Sequence, residues 1–287
     1  MENLNTSNSS CIAPRKTKSV MLDLLIALAP ATVAAIVLFG LKAAIIIAVC
    51  VGTALVSEFV FNILAKKEQT VGDLTAVVTG LLLALNLSTN VTIWHCLVGS
   101  VFAIVIVKCA FGGLGKNFVN PAVAAKVMLL IAFTGISPIA GESAPSTLDM
   151  LICNRTGSLG DACVAALLVG GIYLIIRKVI SWETPVVYLG GAFLLSLAFG
   201  ADISAALALT LGGTIVIGAV FMATDPVTSP KKWYGKIVFA LCCALITVLI
   251  SLYGTAAEAV PFAILLMNIL CPYIDLIGAK KNEEVAK

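Results

Sequence analysis

Ten apolar runs, most of them about as long as a bilayer is thick, follow one another along this chain with only short polar connections. They lie at residues 20–40, 43–64, 71–87, 91–111, 119–139, 159–176, 184–199, 203–223, 237–253 and 260–277. A helix needs roughly 20 apolar residues to cross the hydrocarbon core, so 287 residues hold these segments and little else. The expected fold is all-α: a polytopic membrane protein of about ten transmembrane helices, some short or broken. The third run holds Gly80 and the seventh Gly190-Gly191, and these two are the candidates for broken helices. Only 11% of residues are charged and the mean hydropathy is +1.09, whereas a soluble domain is about 25% charged. Residues 1–19 read as a polar tail, 20–278 as one membrane domain and 279–287 as a second tail.

The basic residues test the threading. With the N-terminus in the cytoplasm and the runs alternating, all 18 Lys and Arg except Lys42, Arg155 and Lys126 fall on the cytoplasmic side. That bias is the positive-inside rule. It places the chain in a bacterial inner membrane, multi-pass, with both termini cytoplasmic and the lipid bilayer as its first partner. A net charge of +3 leaves no nucleic-acid surface. The nine cysteines form no CxxC pair, and most sit within apolar runs as small hydrophobes, so neither a zinc nor an iron–sulfur site is expected.

Two turns interrupt the apolar pattern on the cytoplasmic side. Residues 221–230 read FMATDPVTSP and residues 112–121 read GGLGKNFVNP. Proline after a polar residue stops a helix and frees carbonyls, and irregular backbone at membrane depth survives only where protein covers it or a cavity adjoins it. Asn117, Asn120, Asp225, Thr228 and Ser229 are therefore candidate cavity or coupling residues. VVTGLLLAL, ending at Leu85, and YLGGAFLLSL, ending at Leu197, are weakly alike. Each precedes a further span and then an Asn-Pro or Asp-Pro turn. If the chain is duplicated, the two turns pair across the fold, as sites between repeats do in transporters. Glu58 and Lys126 are ionisable residues inside apolar runs, hence functional candidates. Similar depth makes Glu58 or Asp225 the expected partner of Lys126. No residue is expected to be catalytic alone.

Taken together, GGLGKNFVNPAVAAK, GSLGDACVAALLVGGIYLIIRKVISWETPV and FMATDPVTSP, in that order, resemble the D-type membrane component of the Rnf electron-transport complex, the RnfD family. That family is similar in turn to the B-type component of the sodium-pumping NADH:quinone reductase. The resemblance implies a membrane subunit of an ion-translocating ferredoxin:NAD⁺ oxidoreductase, without stand-alone activity, that relays electrons through flavin and couples them to Na⁺ or H⁺ transport. It implies partners of the Rnf A, B, C, E and G types. It also implies FMN on a threonine phosphoester, with riboflavin in some members. The family's flavin threonine lies in D-x-x-[ST]-x-A-T-P-L between the fifth and sixth spans. Here that stretch is shortened to GESAPSTLDM at residues 141–150. Thr147 is its FMN candidate, without the acid and the alanine of the family's pattern. Helices interrupted at Pro and Gly also suit a channel for urea, ammonium or another solute or ion, and a flavin-less scaffold component is the remaining alternative.

The threading predicts that Cys153 faces outward. In a variant whose only cysteine is Cys153, an impermeant thiol reagent should label from the outer face of intact cells; labelling only from the cytoplasmic face would overturn the alternation.

Overall fold

The computed structural model describes residues 17–133, 135–136, 157–254 and 258–285. Thr147 and Cys153 lie outside the described residues. Ten helical segments follow the ten apolar runs: α1 (Thr17–Phe39), α2 (Leu41–Leu64), α3 (Thr75–Leu85), α4 (Ile93–Cys109), α5 (Pro121–Ala132), α6 (Val164–Ile176), α7 (Glu183–Ala198), α8 (Ile203–Thr210 with Thr214–Met222), α9 (Trp233–Tyr253) and α10 (Ala259–Val285). By length and composition α1, α2, α9 and Ala259–Leu276 of α10 can each cross a membrane alone, and the two halves of α8, bent by 50°, are long and apolar enough to do so only when taken together. The other five are shorter apolar helices. No strand occurs among the described residues, only an isolated bridge between Ser88 and Ser158.

Local chemistry sets the boundaries. Leu74 takes a left-handed conformation at φ 68°, which no helix interior accepts, so α3 begins after it. The Asp73 carboxylate fixes that start by accepting from the Thr75 amide at 2.8 Å and the Thr75 hydroxyl at 2.5 Å. α5 opens on Asn120-Pro121, with Asn120 as N-cap and Pro121 in the first turn, where its missing N–H costs nothing. It ends at Ala132 because Phe133 is extended, well short of the expected residue 139.

The seventh run differs from expectation. α7 runs unbroken through Gly190-Gly191, and Gly191 faces α9 closely: a Cβ there would stand 3.2 Å from the Ala244 Cβ. The break falls instead in α8, at Gly212, where ψ of 131° leaves the helical region.

The surface carries large apolar side chains, and a few charges lie within the apolar interior. Val37, Ile131, Ile176 and Leu194 are exposed, while Glu58, Lys108 and Lys126 are buried. Lipid accepts the former, and only protein can accept the latter. Trp94, Trp182 and Trp233 stand exposed near helix ends, where aromatic belts form. The core is one large cluster running from α1 to α10.

Helix ends sort onto two faces. On the proximal face, the starts of α1, α3 and α5 meet the ends of α4, α6 and α8 around one cleft. Lys236 at the start of α9 donates to Ser181 just before α7 at 2.8 Å. On the distal face, Leu159 N–H donates to Leu87 O at 2.8 Å, Ser88 donates to Ile136 O at 2.8 Å, and Phe199 meets Tyr253 edge to face. This is the up-and-down alternation read from the charges. α4 and α8 both end in π-helical stretches, Phe102–Cys109 and Gly218–Met222, and each leads into one of the two proline turns. Such stretches concentrate at functional sites.

The close approach of α3 to α2 depends on Gly80, where a Cβ would come 2.8 Å from the Val51 Cα and 2.9 Å from the Cys50 carbonyl oxygen. Small residues let membrane helices touch in this way. Gly80→Leu should therefore lower the amount of folded protein in membranes about tenfold by overpacking, whereas Gly190→Leu, which meets open space, should not. Quantitative immunoblotting of membranes, read together with thermal aggregation, checks both.

Candidate functional site

The two proline turns meet at the proximal cleft, whose empty volume is about 750 Å³ including its mouth. Its walls are mainly apolar, from Val20 and Leu24 of α1, Val78 and Leu82 of α3, Ile180, and Phe221 of α8. Polar groups come from Asn117, Asn120 and Asp225 of the turns and from Thr75, Thr79, Lys108 and Thr224. The GGLGKN turn takes its shape from three glycines at positive φ, Gly112 (110°), Gly113 (93°) and Gly115 (83°). Side chains rarely adopt such angles. The turn delivers Asn117 to the cleft, where its amide donates to Val119 O at 3.0 Å.

Asn120 joins the two halves of the chain. Its Oδ1 accepts from the amides of Ala122 and Val123, capping α5, while its Nδ2 donates to Asp225 Oδ2 at 3.4 Å. Asp225 Oδ1 accepts from Val227 N–H at 3.0 Å, closing the turn after α8. Asn268 of α10 completes the set. With its amide oriented to satisfy both neighbours, it donates to Thr228 O and accepts from Asn120 N–H, each at 3.1 Å. The candidates Asn117, Asn120 and Asp225 thus share one cleft wall. Thr228 is buried behind it, and Ser229 lines an adjoining cleft with Lys236 and Ser181.

The buried charges pair differently from the expectation based on depth. Glu58 pairs with Lys108, not Lys126, at 2.8 Å. The Lys108 ammonium also donates to the Thr75 hydroxyl, and the Thr70 hydroxyl donates to Glu58 Oε1 at 2.5 Å. Lys126 pairs with Glu258 at 2.6 Å and donates to Asn86 O at 2.8 Å. Equal depth is an insufficient guide because α5 lies against α10 and α3, whereas the end of α2 lies against α4. A third pair, Asp23 with Arg177 at 3.3 Å, ties α1 to α6, with the Tyr173 hydroxyl donating to the same oxygen at 3.0 Å. Lys108 reads in the sequence as a flanking cytoplasmic charge and Glu258 as a loop acid. Asn268, a lone amide in an apolar run, carried a usable signal. The described residues hold no group of three or more His, Cys, Asp or Glu suited to a metal.

Comparison with known proteins places these features in a family. A model of the NQR2, RnfD, RnfE family matches residues 5–283. The D component of the Na(+)-translocating ferredoxin:NAD(+) oxidoreductase complex of Acetobacterium woodii is 42% identical over 99% of this chain and 96% of its own length. The D component of the proton-translocating ferredoxin:NAD(+) oxidoreductase complex of Clostridium ljungdahlii is 32% identical over 89% of this chain and 88% of its own. The D component of the ion-translocating oxidoreductase complex of Methanosarcina acetivorans is 33% identical over 90% and 89%.

A buried ion pair broken on one side leaves an uncompensated charge, at a cost of roughly 3–5 kcal/mol. Lys108→Met should therefore destabilise the protein by that order, and the double variant Glu58→Gln with Lys108→Met should recover much of the loss. Thermal unfolding of the purified protein in detergent is the measurement, and additive losses would show that the two groups do not interact.

Proposed function

The chain belongs to the NQR2, RnfD, RnfE family, and from that premise we propose that its proximal cleft holds a flavin through which electrons pass. The protein is a membrane subunit of an Rnf-type ion-translocating oxidoreductase complex, and its partners are the other subunits of that complex. The cleft opens to the cytoplasm in this reading, because the basic residues flank the same face. The transported ion is Na⁺ or H⁺.

One observation carries the flavin reading: amide and carboxylate groups of both turns line one mainly apolar cleft, where Asn120 and Asp225 touch. A flavin ring is apolar along one edge and offers an N–H between two carbonyls along the other. Asn117, Asn120 and Asp225 supply the donors and acceptor that such an edge requires. The charges favour an uncharged flavin such as riboflavin over a phosphorylated one. Lys108, the cleft's ammonium, is already neutralised by Glu58, and Asp225 would repel a phosphate. A bound flavin supplies one-electron chemistry, and the protein's part is to hold and tune it. Asn120 and Asp225 would orient the ring edge, and the apolar walls would exclude water. FMN on Thr147 belongs to the opposite side of the membrane and is a separate proposal.

Asn120→Ala and Asp225→Ala test the cleft. Losing the cap costs about 0.5–2 kcal/mol, so both variants should still insert and assemble. Acid-released flavin should fall by about one equivalent per complex, and ferredoxin-dependent NAD⁺ reduction should fall with it. Unchanged flavin content in both variants would sink the cleft as a flavin site. Flavin fluorescence of the denatured protein, with Thr147→Val as control, reports on the covalent group separately.

A further inference from the structure

Distant from the cleft, the pair Lys126–Glu258 has features that a structural strut does not need. Lys126 is fully buried in α5, and Glu258, just before α10, is 7% exposed. Lys126 Nζ stands 2.6 Å from Glu258 Oε1, a contact of charges whose angles fall outside a hydrogen bond. Glu258 Oε2 is buried with no hydrogen-bond partner among the described residues. A carboxylate oxygen left bare in a membrane protein's interior is costly, and it is a strong acceptor aimed at whatever can reach it.

The surroundings add negative charge. Lys126 donates its second bond to Asn86 O, the carbonyl that follows the short helix α3. A helix C-terminus carries about half a negative charge, and the ends of interrupted helices serve as cation seats in transporters. Asp161 is buried in the turn Leu159–Ala162. It accepts from Ser158 N–H at 2.7 Å and from the Thr214 hydroxyl, at 3.3 Å to each carboxylate oxygen, beside the break in α8. Glu258 and one helix end thus share one ammonium.

We propose that Glu258 is a binding site for the translocated monovalent cation, sodium ion or proton, on the distal side of the protein, with Lys126 as the tethered cation that competes for it. The proposal rests on the reading of this chain as a subunit of an ion-translocating complex. The incoming cation binds the bare Oε2 and takes over neutralisation of Glu258, while Lys126 keeps Asn86 O as its acceptor. When the cation leaves, Lys126 closes on Glu258 again. The exchange sets a mobile cation against a tethered ammonium at one carboxylate.

The test uses the whole complex in sealed vesicles at matched complex content, with Glu258→Asp and with the double variant Lys126→Met, Glu258→Gln. Sodium is varied at fixed pH in one arm, and pH is varied at fixed sodium in the other, which separates the two cations. Glu258→Asp should shift the cation concentration for half-maximal electron transfer about fivefold or more in one arm. The double variant keeps the interior neutral and so should assemble, yet the ions taken up per NAD⁺ reduced should fall about tenfold. Wild-type cation dependence in Glu258→Asp together with a wild-type ratio in the double variant overturns the proposal. Failure of both variants to assemble also overturns it, because it makes the pair architectural. Flavin content, measured on the same samples, stays at the wild-type level here, so this outcome is separable from failure of the cleft reading.

Discussion

Charge neutrality inside a low-dielectric interior is the constraint on which this architecture depends. Three buried or half-buried pairs, Glu58–Lys108, Lys126–Glu258 and Asp23–Arg177, each join helices far apart in sequence. Hydrophobic contact between helices gains little when lipid is as apolar as leucine. Charged and hydrogen-bonded contacts have direction and few acceptable partners, so they select one arrangement among many that would pack equally well. The pairs fix α2 to α4, α5 to α10 and α1 to α6, and the remaining helices settle around that frame.

Much of this was legible in the chain. Ten apolar runs became ten helical segments, and the distribution of Lys and Arg matches the sorting of helix ends onto two faces. Asn120 and Asp225 were readable because proline beside a polar residue is a local signal, and both reach the same cleft. The partner of Lys126 was not readable. Depth along a helix follows from residue counting, but which face of α5 meets which neighbour depends on packing between distant segments. The position of the helix break was equally hidden. Gly190-Gly191 and Gly212-Gly213 look alike in the sequence, yet the first pair lies within a continuous helix and the second at a break.

The two proline turns give the cleft a division of labour. The glycine-rich turn before α5 supplies amides held by backbone geometry, and the turn after α8 supplies the carboxylate. α10 contributes Asn268, which touches both. The two turns thus line the cleft, and Asn268 ties them together beside it. Such a lining is preorganised: the cost of ordering its polar groups is met in folding, not in binding.

The contact between Asn120 and Asp225 has a property of exchange. Each side chain serves its own half through one oxygen, Asn120 by capping α5 and Asp225 by closing the turn after α8. The remaining atoms, one amide nitrogen and one carboxylate oxygen, meet between the halves. Asn120→Asp made together with Asp225→Asn leaves every one of these bonds with a donor and an acceptor, whereas either change alone sets two carboxylates or two amides face to face. The negative charge can thus be carried from one half of the chain to the other while the architecture is conserved, which separates where the charge sits from what the contact holds together.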